Sequence, residues 1–272
     1  GELAVGQVRS TAVIRQVKEE LGGASLQLWD CPPGTGCAAR EALEGADACL
    51  LVTEATPFGL HDLALAAELL AALAVPAAVV VNRDGLGSAD VDGFCRQHSL
   101  PIVARLPFSP EVARWYAAGR LAVDEDAAWR ERFAKLAAEA MTLADGAHRA
   151  PAPVRAKRPD RAAKGQGAAP KPAAMNQAAT VRRLVVVSGK GGTGKTTLTA
   201  SLAALAAQPV LADCDVDAAN LHLAVGCRDE RVEEFQSGYV AEIDPSRCVG
   251  CGVCAKACPS GAIRMTPRAE VE

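Results

Sequence analysis

Residues 189–196 read GKGGTGKT, directly after the apolar run Leu184–Val187 and directly before the Ala/Leu-rich run Leu198–Ala207. A strand, a glycine-rich loop and a helix in that order leave few folds open. The G-x-x-x-x-G-K-[ST] spacing is that of a phosphate-binding P-loop, which follows a strand and opens a helix. Its glycines let the backbone curl so that N–H groups point at phosphate oxygens, and the helix N-terminus adds partial positive charge. On this pattern Gly189, Lys190, Gly191, Gly192, Thr193, Gly194, Lys195, Thr196 and Thr197 form the phosphate site. Lys195 reaches the β/γ-phosphates and the Thr196 hydroxyl binds Mg²⁺. A turn that binds nothing would not need both flanking elements.

Elsewhere strand and helix signals alternate. Helices are predicted at Ala12–Leu21, His61–Leu73, Val91–Gln97, Pro110–Ala118 and Asp126–Leu143. Short apolar runs predict strands at Leu26–Trp29, Ala48–Thr53, Pro76–Val81, Ile102–Leu106 and Val210–Ala212. Strands that are nearly continuous hydrophobics and alternate with helices imply a parallel sheet buried on both faces. The fold class expected is therefore α/β, a doubly wound, mostly parallel sheet of P-loop NTPase type. A partial ferredoxin-like insert follows at the C-terminal end.

Four segments are expected: 1–145, an Ala/Pro/Lys/Arg-rich linker at 146–180, 181–235 and 236–272. The linker has almost no large apolar residue, so it cannot offset its ordering entropy. It carries seven basic residues, Arg149 to Lys171, against Asp160. A solvated tether accounts for these charges, with a nucleic-acid-touching tail as the alternative. The net charge of the chain, −3, makes no case for nucleic acid. No run of 18 apolar residues occurs, so no integral membrane segment is expected.

Ten cysteines are present, and four of them, Cys248, Cys251, Cys254 and Cys258, crowd into eleven residues before Pro259. C-x2-C-x2-C-x3-C-P is the bacterial ferredoxin spacing for a [4Fe–4S] cluster. Zinc sites usually separate their C-x2-C pairs further, and a disulfide scaffold does not suit this crowding. The cluster and the P-loop together point to a reducing compartment, the cytoplasm. In two-cluster ferredoxins the fourth cysteine serves the other cluster, and only one motif is present here. Cys37, in the loop after Asp30, reads as a structural thiol with a ligand or redox role as the alternative, whereas Cys49, Cys95, Cys214 and Cys227 read as packed small hydrophobes.

Acids at strand ends complete the nucleotide chemistry. Asp213 and Asp215 follow Val210–Ala212, and Asp30 follows Leu26–Trp29, so all three face the ligand crevice of an α/β sheet. Carboxylates there orient Mg²⁺, its waters and the attacking water. Asn82 and Arg83 follow another strand, where loops contact a nucleotide base.

These residues resemble a known family. GKGGTGKTT with the extra Lys190, followed by LADCDVDAANLHL, is similar to the deviant-Walker-A group of MinD, ParA and the nitrogenase iron protein. The cysteine motif looks like the branch of MinD-like ATPases with an inserted ferredoxin domain. WDCPPGTGC, LLVTEATPFGLHDL, VVVNRDG and LPFSPEVARWYAAGRL resemble the second half of the same family. That half precedes the P-loop half here, as in a fused tandem pair whose second copy begins near Met175, or in a circular permutant.

The resemblance implies that Lys195, Thr196 and the loop glycines hold ATP and Mg²⁺, and that Lys190 reaches a partner's nucleotide across a dimer. It implies that Asp215, with Asp213 beside it, positions the attacking water. Asp30 would be the switch carboxylate, and Asn82 and Arg83 would flank adenine. The expected partners are a second MinD-like chain, as homo- or heterodimer, and a redox partner that the sequence does not name. The expected function is ATP binding and hydrolysis coupled to a [4Fe–4S] cluster for gated electron transfer. An iron–sulfur scaffold or carrier, and a positional MinD/ParA-type switch with a structural cluster, are the alternatives. Residues 1–145 and 181–235 are expected to dock as one domain. A flexible linker of about 35 residues spans roughly 30 Å, enough for that docking.

Overall fold

A computed structural model describes residues 10–22, 24–149, 181–227, 243–258, 263–266 and 268–271. The chain divides into two units, Gly1–Val232 and Glu233–Glu272.

In the first unit the elements run α1 (Ser10–Glu20), β1 (Leu26–Asp30), α2 (Cys37–Leu43), β2 (Ala48–Thr53), α3 (Pro57–Leu73), β3 (Ala77–Asp84), α4 (Val91–Gln97), β4 (Ile102–Pro107), α5 (Pro110–Ala117), α6 (Ala122–Glu125), α7 (Ala127–Arg149), β5 (Arg182–Val187), α8 (Lys195–Leu205), β6 (Val210–Asp213) and α9 (Leu221–Val225). The six strands form one sheet in the order β4-β3-β2-β5-β1-β6, and every pairing is parallel. Strand β5, which precedes the glycine-rich loop of residues 189–194, lies between β2 and β1. Leu184 faces Ala48 on one side and Leu28 on the other. Segments on either side of residues 150–180 therefore build the same sheet. The described ends flanking that stretch meet where Arg182 donates to Asp145.

Both faces are covered, which explains the unbroken hydrophobicity of the strands. Alternate residues Leu28, Leu50, Val52, Val80, Leu184 and Val186 join Phe133, Leu136 and Ala140 of α7 and Leu198 and Leu202 of α8 in one core. The intervening residues Trp29, Leu51, Val79, Val81 and Val185 are buried as well. Val13 and Ile14 of α1, Leu43 of α2 and Leu63, Ala66 and Leu70 of α3 are also buried.

Several boundaries differ from the sequence expectation. Helix α3 begins at Pro57 rather than His61, because Thr56 Oγ1 accepts from the Gly59 N–H at 3.0 Å and Pro57 takes the first turn. Strand β3 runs on through Asn82 and Arg83 to Asp84. Helix α7 continues through Gly146 to Arg149, past the expected linker boundary at 145/146. The rest of that linker lies outside the described residues. Helices α2, α6 and α9 were not expected, since seven, four and five residues are too few to display a helical period.

The second unit contains α10 (Val253–Ala257) and a two-stranded antiparallel sheet of β7 (Ile263–Met265) and β8 (Ala269–Val271).

Candidate functional site

Four strands, β1, β2, β3 and β6, deliver a polar or charged side chain to the crevice at the end of β5. The glycine-rich loop of residues 189–194 opens that crevice. Gly192 and Gly194 adopt φ of +76° and +92°, and Gly194 stands at the N-cap of α8. Gly189 sits so close to α3 that a Cβ there would lie 2.2 Å from the Cβ of Asp62. At Gly194 a Cβ would lie 2.5 Å from Asn82 Nδ2. Only glycine allows these approaches.

The loop after β1 is stitched onto the loop after β5. The Cys31 N–H donates to Val186 O, and the Gly34 N–H donates to Ser188 O at 3.0 Å. At the centre Thr196 Oγ1 donates to Asp30 Oδ2 at 2.5 Å, and Thr199 Oγ1 stands 3.5 Å from Asp30 Oδ1. Asp30 is 1% exposed. Burial pushes its pKa up to about 7, Asp213 and Asp215 push the same way, and the Thr196 hydrogen bond and the Lys195 charge oppose them. Lys195 is buried too, and desolvation lowers its pKa against the pull of Asp30 and Asp215. Burial also raises Asp215, helped by the neighbouring Asp213 charge. These groups thus form one coupled electrostatic cluster.

Asp213 has a more structural position than its neighbours. Oδ1 accepts from the Asp215 N–H at 3.0 Å, and Oδ2 accepts from the N–H groups of Asn220 and Leu221 at 2.9 Å each. It folds the loop that carries Asp215 and starts α9. Asn82 Nδ2 donates to Thr193 O at 2.7 Å, which pins β3 to the glycine-rich loop. The Arg83 guanidinium turns to Glu54, donating to Oε1 at 2.8 Å, and Arg83 itself adopts φ +50°. Lys190 Nζ lies 3.1 Å from Glu54 Oε2. Sequence reasoning missed Glu54. The signal was an acid directly after a strand, the pattern that singled out Asp30.

The geometry suits a nucleotide polyphosphate with Mg²⁺. The Thr193 hydroxyl is buried, 2% exposed, and has no hydrogen-bond partner among the described residues. The Thr196 hydroxyl and the Asp30 carboxylate adjoin at the N-terminus of a helix, where anions and their counter-cations gather. Cys37 opens α2 and is exposed.

In the second unit Gly250 and Gly252 take φ of +69° and +71° and curl the chain between Cys248 and Cys254. Cys248 Sγ accepts the Ala269 N–H at 3.5 Å, and this bond, with a second from Gly250, lowers its thiol pKa. Among the described residues no three Cys, His, Asp or Glu side chains converge on a point that could hold a metal ion. The four thiols thus share a short loop and helix without converging. Ligand loops of this kind take their final geometry together with the metal. The donor set, four thiols with backbone N–H support, suits an iron–sulfur cluster.

Residues 241–264 match the family described as the 4Fe-4S binding domain. The chain therefore carries an iron–sulfur domain in its C-terminal part as well as a six-stranded parallel α/β domain. Two uncharacterized proteins of Methanocaldococcus jannaschii are similar to parts of the chain. MJ0578 is 35% identical over 92 residues, 33% of this chain and 33% of that protein. MJ0579 is 28% identical over 93 residues, 34% of this chain and 35% of that protein. The match thus spans about a third of the length of each relative. No solved structure matches the chain significantly. No helix among the described residues is long and apolar enough to cross a membrane.

Proposed function

We propose that this chain is an ATP-binding and ATP-hydrolysing iron–sulfur protein of the MinD/ParA-like P-loop class, in which nucleotide state gates electron transfer through a [4Fe–4S] cluster. The observation that carries the reading is the contact between Thr196 at the start of α8 and Asp30 at the end of β1. It sets a P-loop hydroxyl beside a buried strand-end carboxylate, the pair that Mg²⁺–nucleotide chemistry requires. The backbone of residues 189–196 and Lys195 would hold the phosphates, and Thr196, Asp30 and Asp215 would hold Mg²⁺ or its waters. Asp215 would orient the attacking water on a loop that Asp213 shapes. Asn82 and Arg83 would lie toward the base. Lys190 would serve a second MinD-like chain in a dimer.

Asp30 also opens the loop that leads into α2, so a change in its partner has a path into the fold. The test is the cluster midpoint potential, measured anaerobically with and without MgATP, with Lys195→Ala as control. A shift on the order of 60 mV, tenfold for a one-electron couple, that disappears in Lys195→Ala is the expected result. An unchanged potential would overturn the gating and turn attention to cluster transfer or surface binding.

A further inference from the structure

Glu54 stands one residue past the end of β2 and is 8% exposed. A carboxylate this buried is stable only when its oxygens are paired. Here each oxygen has its own cation: Oε1 takes Arg83 Nη1 at 2.8 Å and Oε2 takes Lys190 Nζ at 3.1 Å. The cations come from opposite walls, Lys190 from the P-loop and Arg83 from β3.

The mount of Glu54 is rigid. Thr53 Oγ1 donates to Gly59 O at 2.9 Å, and Thr56 caps α3. Gly59 and Gly87 crowd the adjoining backbone, where added Cβ atoms would come within 2.3 Å of Glu54 O and 1.9 Å of Ala55 O. The two cations are freer, with Lys190 and Arg83 side chains 35% and 46% exposed. The arrangement is a fixed anion gripping two movable cations at the lip of a phosphate-binding loop.

We infer that Glu54 competes with the nucleotide's anionic groups for Lys190 and Arg83, holding both cations in the resting chain and yielding them to an arriving polyphosphate, before Lys190 serves a partner chain and Arg83 settles toward the base. The inference rests on the nucleotide reading above. Binding then requires exchange of two charge-assisted contacts for two others. That exchange lowers affinity relative to a site whose cations are already free. Glu54 is a positioning residue in this account, acting through the two cations.

Equilibrium binding of MgATP tests it. Glu54→Gln keeps the shape and removes the charge, and is expected to bind MgATP about tenfold more tightly than the wild type. Because the gain runs partly through Lys190, it is expected to shrink in a Lys190→Ala background. Should Glu54→Gln fail to fold, Glu54→Asp retracts the same charge on the same mount and is expected to tighten binding too. Unchanged or weaker binding by the variant, or an equal gain with and without Lys190, would overturn the inference and leave the nucleotide reading standing. A wild-type protein that binds no nucleotide would overturn both.

Discussion

Thr196 Oγ1 and Asp30 Oδ2 meet at 2.5 Å although the residues lie 166 positions apart in the chain. The contact joins the segment before residues 150–180 to the segment after them. Asn82 with Thr193, Lys190 with Glu54, and Gly34 with Ser188 do the same around the crevice. The proposed site is thus a product of strand order. With β5 inserted between β1 and β2, the ends of four strands converge on one loop.

The buried Asp30 makes stability depend on pH. Its pKa of about 7 in the fold exceeds the ordinary 3.8, because burial disfavours the charge. Between those values the folded protein retains a proton that the unfolded chain has released. Its contribution is complete below about pH 4 and is lost as pH rises toward and through about 7. Urea unfolding of nucleotide-free protein from pH 4.5 to 8.5 should show a fall of up to about 1.4 kcal/mol per pH unit. Asp30→Asn should flatten this slope, and an unchanged slope would show that other groups set it.

Two glycines of the same loop should behave oppositely. An added Cβ at Gly189 would strike Asp62, whereas at Gly191 it would meet nothing within 4 Å among the described residues. Gly189→Ala is expected to cost about 1–3 kcal/mol of stability, and Gly191→Ala to stay within about 1 kcal/mol of the wild type. Thermal and chemical unfolding of the pair would check this, and equal losses would contradict the close approach.

The contrast bears on what the sequence could reveal. The strand, loop and helix around residues 189–196 were legible because their pattern is local: eight consecutive residues, a strand before and a helix after. Asp30 and Asp215 were legible as strand-end acids. Glu54 has the same position after β2, but its importance comes from Lys190 and Arg83, 136 and 29 positions away, and no local pattern encodes those pairings. Asp213 read as a partner of Asp215, yet its oxygens are occupied by backbone N–H groups, a detail of loop geometry. The parallel sheet followed from hydrophobic runs, whereas its strand order did not. Helix α2 was too short to register.

Lys18 offers a test of how α2 is held. Its amine donates to Glu41 O at 2.6 Å, to Ala42 O at 3.3 Å and to Glu44 O at 2.5 Å, capping the helix that follows the Asp30 loop. It also lies 4.7 Å from the Trp29 ring centroid. Lys18→Met keeps the stem and removes these bonds, and should cost about 1–2 kcal/mol in unfolding measurements. Unaltered stability would mean that the Arg15–Glu41 pair holds α2 by itself.

The second unit can be tested through its metal. After anaerobic reconstitution, replacement of Cys251 or Cys254 by Ser should abolish the iron–sulfur visible absorbance and the bound sulfide. Nucleotide binding should persist in these variants, because every residue of the proposed phosphate site lies in the first unit. Retained iron and sulfide in both variants would remove these cysteines from the ligand set.

The most direct test of the account is equilibrium dialysis of ATP against wild type, Asp30→Ala and Lys195→Ala, each with Mg²⁺ and with EDTA. The account predicts Mg²⁺-dependent binding by the wild type and at least about tenfold weaker binding by both variants, one from each side of residues 150–180. Wild-type protein that binds no ATP, or Asp30→Ala that binds as well as the wild type, would contradict the claim that the two segments complete one nucleotide site.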